Sequence, residues 1–131
     1  MPALLNHHIV HAWDPQASAE YLAEMLDLAE PVAFGPFFVV ECGNGVSLDY
    51  IAVGDAWDDI RPEHYAFLVD DEQFDRTHAR IVERGSDYFA DPGGNLRNEI
   101  NTHDSGRGLY WADPNGHWLE MITTPYGVPK R

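Results

Sequence analysis

The chain has 131 residues, enough to bury a core without staples, and is read as one domain over 1–131. Its 22 acidic against 8 basic residues give a formal charge of -14, which repels phosphate backbones and anionic lipid and speaks against nucleic-acid and membrane partners. With 44% apolar and 12% aromatic residues it is no disordered acidic tail.

No apolar run reaches the ~18 residues of a membrane span, and no basic-then-apolar leader opens the chain. Cys42 has no second cysteine to pair with and is expected as a small, buried, reduced side chain. These features lead us to expect a cytoplasmic protein.

Residues 4–12 read as a strand, after which Asp14-Pro15 supplies an N-cap and a proline at the first helical position. Ala17, Tyr21, Leu22, Met25 and Leu26 follow at helical spacing and predict one apolar face. Strands are expected over 32–34, 36–42 and 46–52, the last two joined by a Gly43-Asn44-Gly45 turn. The polar stretch 53–61 reads as a connector.

The plan then repeats. A strand over 64–69 leads to Asp71 as N-cap and a helix with Phe74, His78, Ile81 and Val82 inward, stopped by Gly85. A short strand at 88–89 precedes a loop over 91–98, long enough to cover a site. A hairpin closes the chain, with strands over 108–112 and 117–123 and the turn Asp113-Pro114-Asn115-Gly116. Each half is strand, helix, three strands, with module 1 at about 1–53 and module 2 at about 62–131.

A finer repeat marks the same division. His7 lies seven residues before Asp14, His64 seven before Asp71, and Gln16 and Gln73 each stand two further on. Two imidazoles thus occupy matching points of two strands, and imidazole is the commonest metal-binding side chain. A metal site drawing on both halves is the leading expectation. Alternation puts Glu120 on one strand face with Trp118 and Ile122, and Leu119 and Met121 on the other. A carboxylate inside an apolar strand is costly to bury unless something pairs with it.

The stretches LNHHIVHAWDP, EHYAFLVDDEQFD and above all GLYWADPNGHWLEMIT resemble the vicinal oxygen chelate superfamily of glyoxalases, bleomycin-resistance proteins and extradiol ring-cleaving dioxygenases. The resemblance covers nearly the whole chain. It implies an α+β fold of two βαβββ modules forming an open, barrel-like mixed sheet with the helices outside. It also implies His7, His64 and Glu120 as ligands of a divalent metal. Two imidazoles and one carboxylate leave positions open for substrate or oxygen, a set suited to Fe(II) and usable by Mn, Zn or Ni. His8 neighbours His7, and the spacing to Asp14 selects His7. His11 shares the face of His7, whereas His78 and His117 are expected to be structural.

Among the branches, the glyoxalase I type has a fourth, carboxylate ligand where this chain has Ser47, with Asp49 two residues along. The fosfomycin-modifying branch has a hydroxyl residue where this chain has Ile9 and a cation where it has Pro129. The extradiol branch keeps a tyrosine ten residues before the ligand Glu, here Tyr110. It also uses an acid–base histidine at the position of Asn101, and this chain offers His103 two residues on. The resemblance therefore implies an extradiol-type dioxygenase acting on a small catechol-like substrate, with Tyr110 and His103 catalytic. Trp13, Phe34, Phe37, Phe38 and Tyr50 are available to wall an aromatic ring. Alternatives are a Zn or Ni isomerase or lyase and a non-catalytic drug-binding protein. A homodimer is expected on the same resemblance.

Overall fold

The computed structural model describes residues 1–54 and 59–125, so part of the 53–61 connector and Pro129 lie outside the described residues. The chain forms two compact units, Met1–Arg61 and Pro62–Arg131.

In the first unit, β1 (His7–Ala12) is followed by α1 (Pro15–Met25), β2 (Val32–Phe34), β3 (Phe37–Glu41) and β4 (Ser47–Ala52). The sheet order is β1-β4-β3-β2, with β1 parallel to β4 and the other pairs antiparallel. Asp14 caps α1 through its carboxylate, which accepts from the Ala17 amide at 3.1 Å.

The inward stripe of α1 is Ser18, Ala19, Leu22, Ala23 and Met25, rotated from expectation so that Ala17 is exposed. Small Ser and Ala at the first turns let the helix approach the sheet, whose buried side carries Val10, Ala12, Val40, Leu48 and Tyr50. Tyr50 therefore belongs to this helix-side core and is no wall of the opposite face. Phe38 pairs with it across β3 and β4, while Trp13 and Phe34 are exposed. Gly45 sits at φ +81°, a conformation that favours glycine, and turns β3 into β4. Cys42 is only half-buried, with its thiol pushed up by burial and by neighbouring Glu41.

In the second unit, β5 (His64–Leu68) leads to α2 (Asp71–Glu83), and β6 (Gly108–Ala112) and β7 (Trp118–Ile122) form the closing hairpin. The sheet order is β5-β7-β6, β5 parallel to β7 and β6 antiparallel to it. The N-cap of α2 is Asp70 and not Asp71, its carboxylate accepting from the Gln73 amide at 2.8 Å. A cap must stand one residue outside the helix to reach that amide. Asp71 instead joins Glu72 in the first turn, where the helix dipole favours acids.

The inward residues of α2 are Phe74, Thr77 and Ile81. Val82 is 53% exposed, because the stripe runs at i, i+3, i+7 and passes it by. His78 is half-buried with its ring edge-on to Tyr88, centroids 4.7 Å apart.

The expected strand at 88–89 is reduced to bridges from Phe89 to Tyr110 and Arg97. The chain turns away immediately after it, because Asp91 gathers its own loop. One carboxylate oxygen accepts from the Asn95 and Leu96 amides at 2.9 and 2.7 Å. On β6 and β7, Leu109, Trp111, Leu119 and Met121 are wholly buried on one face, as alternation predicts. No helix among the described residues is long and apolar enough to cross a membrane.

Candidate active site

The other face of that sheet carries the polar groups. Strand register puts Ala66, Glu120 and Tyr110 in one row and His64, Trp118 and Ala112 in the next. Because β5 and β7 run parallel, His64 comes beside Glu120 although 56 residues separate them. The Nε2 of His64 lies 3.1 Å from Oε1 of Glu120, with the His side chain 46% exposed and the Glu 1%.

The other ring nitrogen, Nδ1, donates to the Trp118 carbonyl at 2.8 Å. A carbonyl can only accept, so Nδ1 holds a proton, and Nε2 of a neutral ring presents its lone pair toward the carboxylate. Two acceptors face each other, an arrangement that a proton on Nε2 or a shared cation relieves. Donor atoms about 2.0–2.2 Å from one cation and at right angles to each other stand about 3 Å apart, so the pair fits two ligands of one metal. The backbone carbonyl supplies the outer hydrogen bond that orients a ligating imidazole.

Beside the pair lies a pocket of ≈ 140 Å³ lined by Glu120, Tyr110, His103, Asn101, Arg107 and Thr124, among others. The structure thus brings both residues expected to be catalytic to the carboxylate expected to bind metal. The Tyr110 ring stacks on Trp118 at 6.1 Å and 15°, lies 5.8 Å from the His64 ring, and Trp118 in turn contacts Phe89. The loop over 91–98 contributes nothing to this lining; the 101–107 segment does so instead.

Sequence reasoning missed Arg107 and Thr124. Arg107 donates through Nη1 to Asp75 at 2.8 Å and through Nη2 to Asp71 at 3.0 Å, and lies 4.3 Å over the Phe74 ring. Its hydrogen bonds to Asp75 first, and then to Asp71, raise its already high pKa. Its charge is thereby answered by two carboxylates. The signal was the Asp71, Asp75 spacing, which places both acids on one side of α2.

In the first unit, His7 stands on the sheet face away from α1, shared by alternation with Ile9 and His11. Its Nδ1 is 2.8 Å from Oδ1 of Asn6, and its register partner is Ser47. The Ser47 hydroxyl donates to Asp49 at 2.8 Å, so no carboxylate occupies the strand position opposite His7. His8 shares the face of buried Val10 and Ala12. The face, and not the spacing to a cap, separates the two histidines, since the second cap is Asp70.

Among the described residues, no three His, Cys, Asp or Glu side chains form a metal-holding group. The pair His64 and Glu120 is what the second unit assembles by itself. His117, wholly buried, accepts from the Glu63 amide through Nδ1 at 3.0 Å and ties the start of β5 to the hairpin.

No family model matches the chain. Among curated proteins, a metallothiol transferase FosB from Shouchella clausii (strain KSM-K16) is 35% identical over 60 residues, which make up 46% of this chain and 37% of that protein. The chain thus spans little more than a third of the curated relative it matches. Among solved structures, Oxidase ChaP-H1 is 56% identical, with 96% of this chain and 99% of that one covered at a TM-score of 0.91. Oxidase ChaP-H2 is 50% identical, covering 97% and 98% at a TM-score of 0.92. A glyoxalase/dioxygenase from Nostoc punctiforme, 22% identical over 94% of this chain and 92% of that one, shares the fold at a TM-score of 0.68. Identity above one half along nearly the full length of an oxidase, on a fold shared with glyoxalase/dioxygenases, places the chain in one family: it belongs to the vicinal oxygen chelate superfamily.

Proposed function

We propose that this protein is a metal-dependent oxygenase that oxidises, by extradiol-type ring cleavage, a small catechol-like substrate. The observation that carries the reading is the His64–Glu120 pair, with the Nδ1 proton committed to a carbonyl and Nε2 turned to the carboxylate. The similarity to two oxidases supports it.

His64, Glu120 and His7 are the ligands we assign, with Fe(II) as the expected metal and Mn, Zn or Ni as other fits to the donor set. When bound, the metal supplies a Lewis acid for two vicinal oxygens and a redox centre for O2. Tyr110, opposite Glu120 in the hairpin, directs its phenol at a substrate oxygen, and His103 exchanges the proton that the ring hydroxyl gives up.

The stacked Tyr110 and Trp118 rings offer an aromatic substrate a flat, apolar wall. Among the described residues, Arg107 is the one arginine or lysine lining the pocket, and its two carboxylate partners leave little attraction for a phosphonate or other anion. An uncharged phenol suits that balance better. We also propose a homodimer with two sites, supported by the exposed Val32 and Phe34 on edge strand β2; sedimentation equilibrium tests it.

The deciding experiment is elemental analysis of untagged, anaerobically purified protein, followed by O2-uptake assays on a catechol panel. Stoichiometric Fe or Mn with catechol-dependent O2 uptake is the expected result. Zn or Ni with indifference to O2 would turn the reading to an isomerase or lyase. Protein that refuses every added divalent metal would leave a drug-binding role.

A further inference from the structure

We propose that Asn101 is a positioning residue that sets the pose of His103 over the pocket. The inference rests on the acid–base role given to His103 above. Asn101 stands where the superfamily resemblance expects the acid–base histidine itself.

Its backbone is bound to β6 twice, the Asn101 amide donating to the Gly108 carbonyl at 2.9 Å and the Gly108 amide donating back at 3.0 Å. The side chain then faces two ways. Nδ2 donates to the Ala90 carbonyl at 2.9 Å, and Oδ1 accepts from the His103 amide at 3.3 Å. Amide N on a carbonyl and amide O on an N–H leave one sensible orientation of the group. With both ends engaged, Asn101 holds the turn and is not arranged to hold a substrate, although it lines the pocket.

The turn it holds needs holding. Asp104 and Ser105 follow His103 at φ 54° and 61°, two successive left-handed residues that are not glycine. Such a segment persists only where its surroundings over-determine it. Asn101 secures one end. At the other, the Arg107 amide donates to Thr123 Oγ1 at 2.8 Å, and the Thr123 amide donates to the Arg107 carbonyl at 2.9 Å. Gly108 completes the fit, since a Cβ there would stand 2.9 Å from Asn101 Oδ1 and 3.0 Å from Nδ2. The close approach of Asn101 to β6 is therefore built into the sequence, and His103, two residues later, lines the same pocket as Tyr110 and Glu120.

The test is a double-mutant cycle of Asn101→Ala with His103→Ala, on Fe(II)-loaded protein with 4-methylcatechol, joined to amide exchange on the protein without added substrate. Asn101→Ala should lower kcat roughly 10–100-fold with KM changed less than about threefold. In the His103→Ala background it should change kcat by less than about twofold. The amides of His103 and Gly106 should exchange at least about tenfold faster in Asn101→Ala, with Leu109 and Trp111 unchanged.

Asn101→Ser, which keeps a short side chain beside Gly108, carries the same comparison if the alanine variant does not fold. A full Asn101→Ala penalty persisting without His103 overturns this inference and leaves the proposed function intact. Full turnover by His103→Ala overturns the acid–base reading and this inference with it. Faster exchange spreading to Leu109 and Trp111 makes Asn101 a general staple of the sheet and overturns its specific role.

Discussion

Glu120 Oε1 lies 3.1 Å from Nε2 of His64, whose opposite nitrogen is already committed to the Trp118 carbonyl 2.8 Å away. That commitment decides which nitrogen is free to bind a cation. It also keeps the ring in place when the carboxylate is changed.

Replacing Glu120 by Gln should therefore remove metal binding and spare the fold. Gln retains the volume and offers Nε2 a hydrogen bond, but lacks the charge that holds a divalent ion. We expect wild-type Tm to rise on adding Fe(II), by the equivalent of about 2.7 kcal/mol at a hundredfold excess over Kd, and Glu120→Gln to show no rise. Metal retained at full occupancy in the variant would remove Glu120 from the ligand set.

Tyr110→Phe keeps the ring that stacks on Trp118 and loses only the phenol. The expected result is a kcat lower by about 10²-fold with unaltered metal content and Tm. Oxygen-electrode kinetics with a catechol check it, and an unchanged kcat would return Tyr110 to a packing role.

The Asp91 loop should loosen in acid. Hydrogen bonds from the Leu96 amide, and then from Asn95, hold its carboxyl below the ordinary aspartate value of 3.8. A depressed carboxyl contributes stability above its unfolded pKa and loses it as pH falls through the folded one. The Leu96 and Asn95 amide shifts, followed by NMR, should titrate with a midpoint below 3.8 in the wild type. The transition should vanish in Asp91→Asn.

Asp70→Ala and Asp71→Ala separate cap from first turn. Loss of the Asp70 cap should cost about 1 kcal/mol in urea unfolding. Asp71→Ala should cost less and free Arg107, which a gain in affinity for small anions would report.

Gly106→Ala should be the most damaging small change near the pocket. A Cβ there would press on Thr124 and stand 2.8 Å from Thr123 Oγ1. Overpacking of this kind costs about 1–3 kcal/mol. Chemical denaturation measures it; a variant as stable as wild type would show that the 103–107 turn yields easily.

Much of this architecture was legible from local rules. Asp14-Pro15 marked α1, alternation put Glu120 on the face opposite Leu119 and Met121, and Asp113-Pro114-Asn115-Gly116 marked the last hairpin. Each depends on residues a few positions apart. Two of the departures were local competitions that pattern cannot judge: two adjacent aspartates contending for one cap, and a strand at 88–89 cut short by the hydrogen bonds of Asp91.

The sequence by itself determined the two strand–helix modules, the period-two faces and the residue types able to bind a metal, because these follow from backbone geometry and side-chain chemistry. Only the tertiary structure decided that His64 meets Glu120, that Arg107 spends its charge on Asp71 and Asp75, and that Asn101 holds the turn bearing His103. Those relationships rest on strand register and on contacts between residues distant in the chain, where several partners compete and three-dimensional packing selects one.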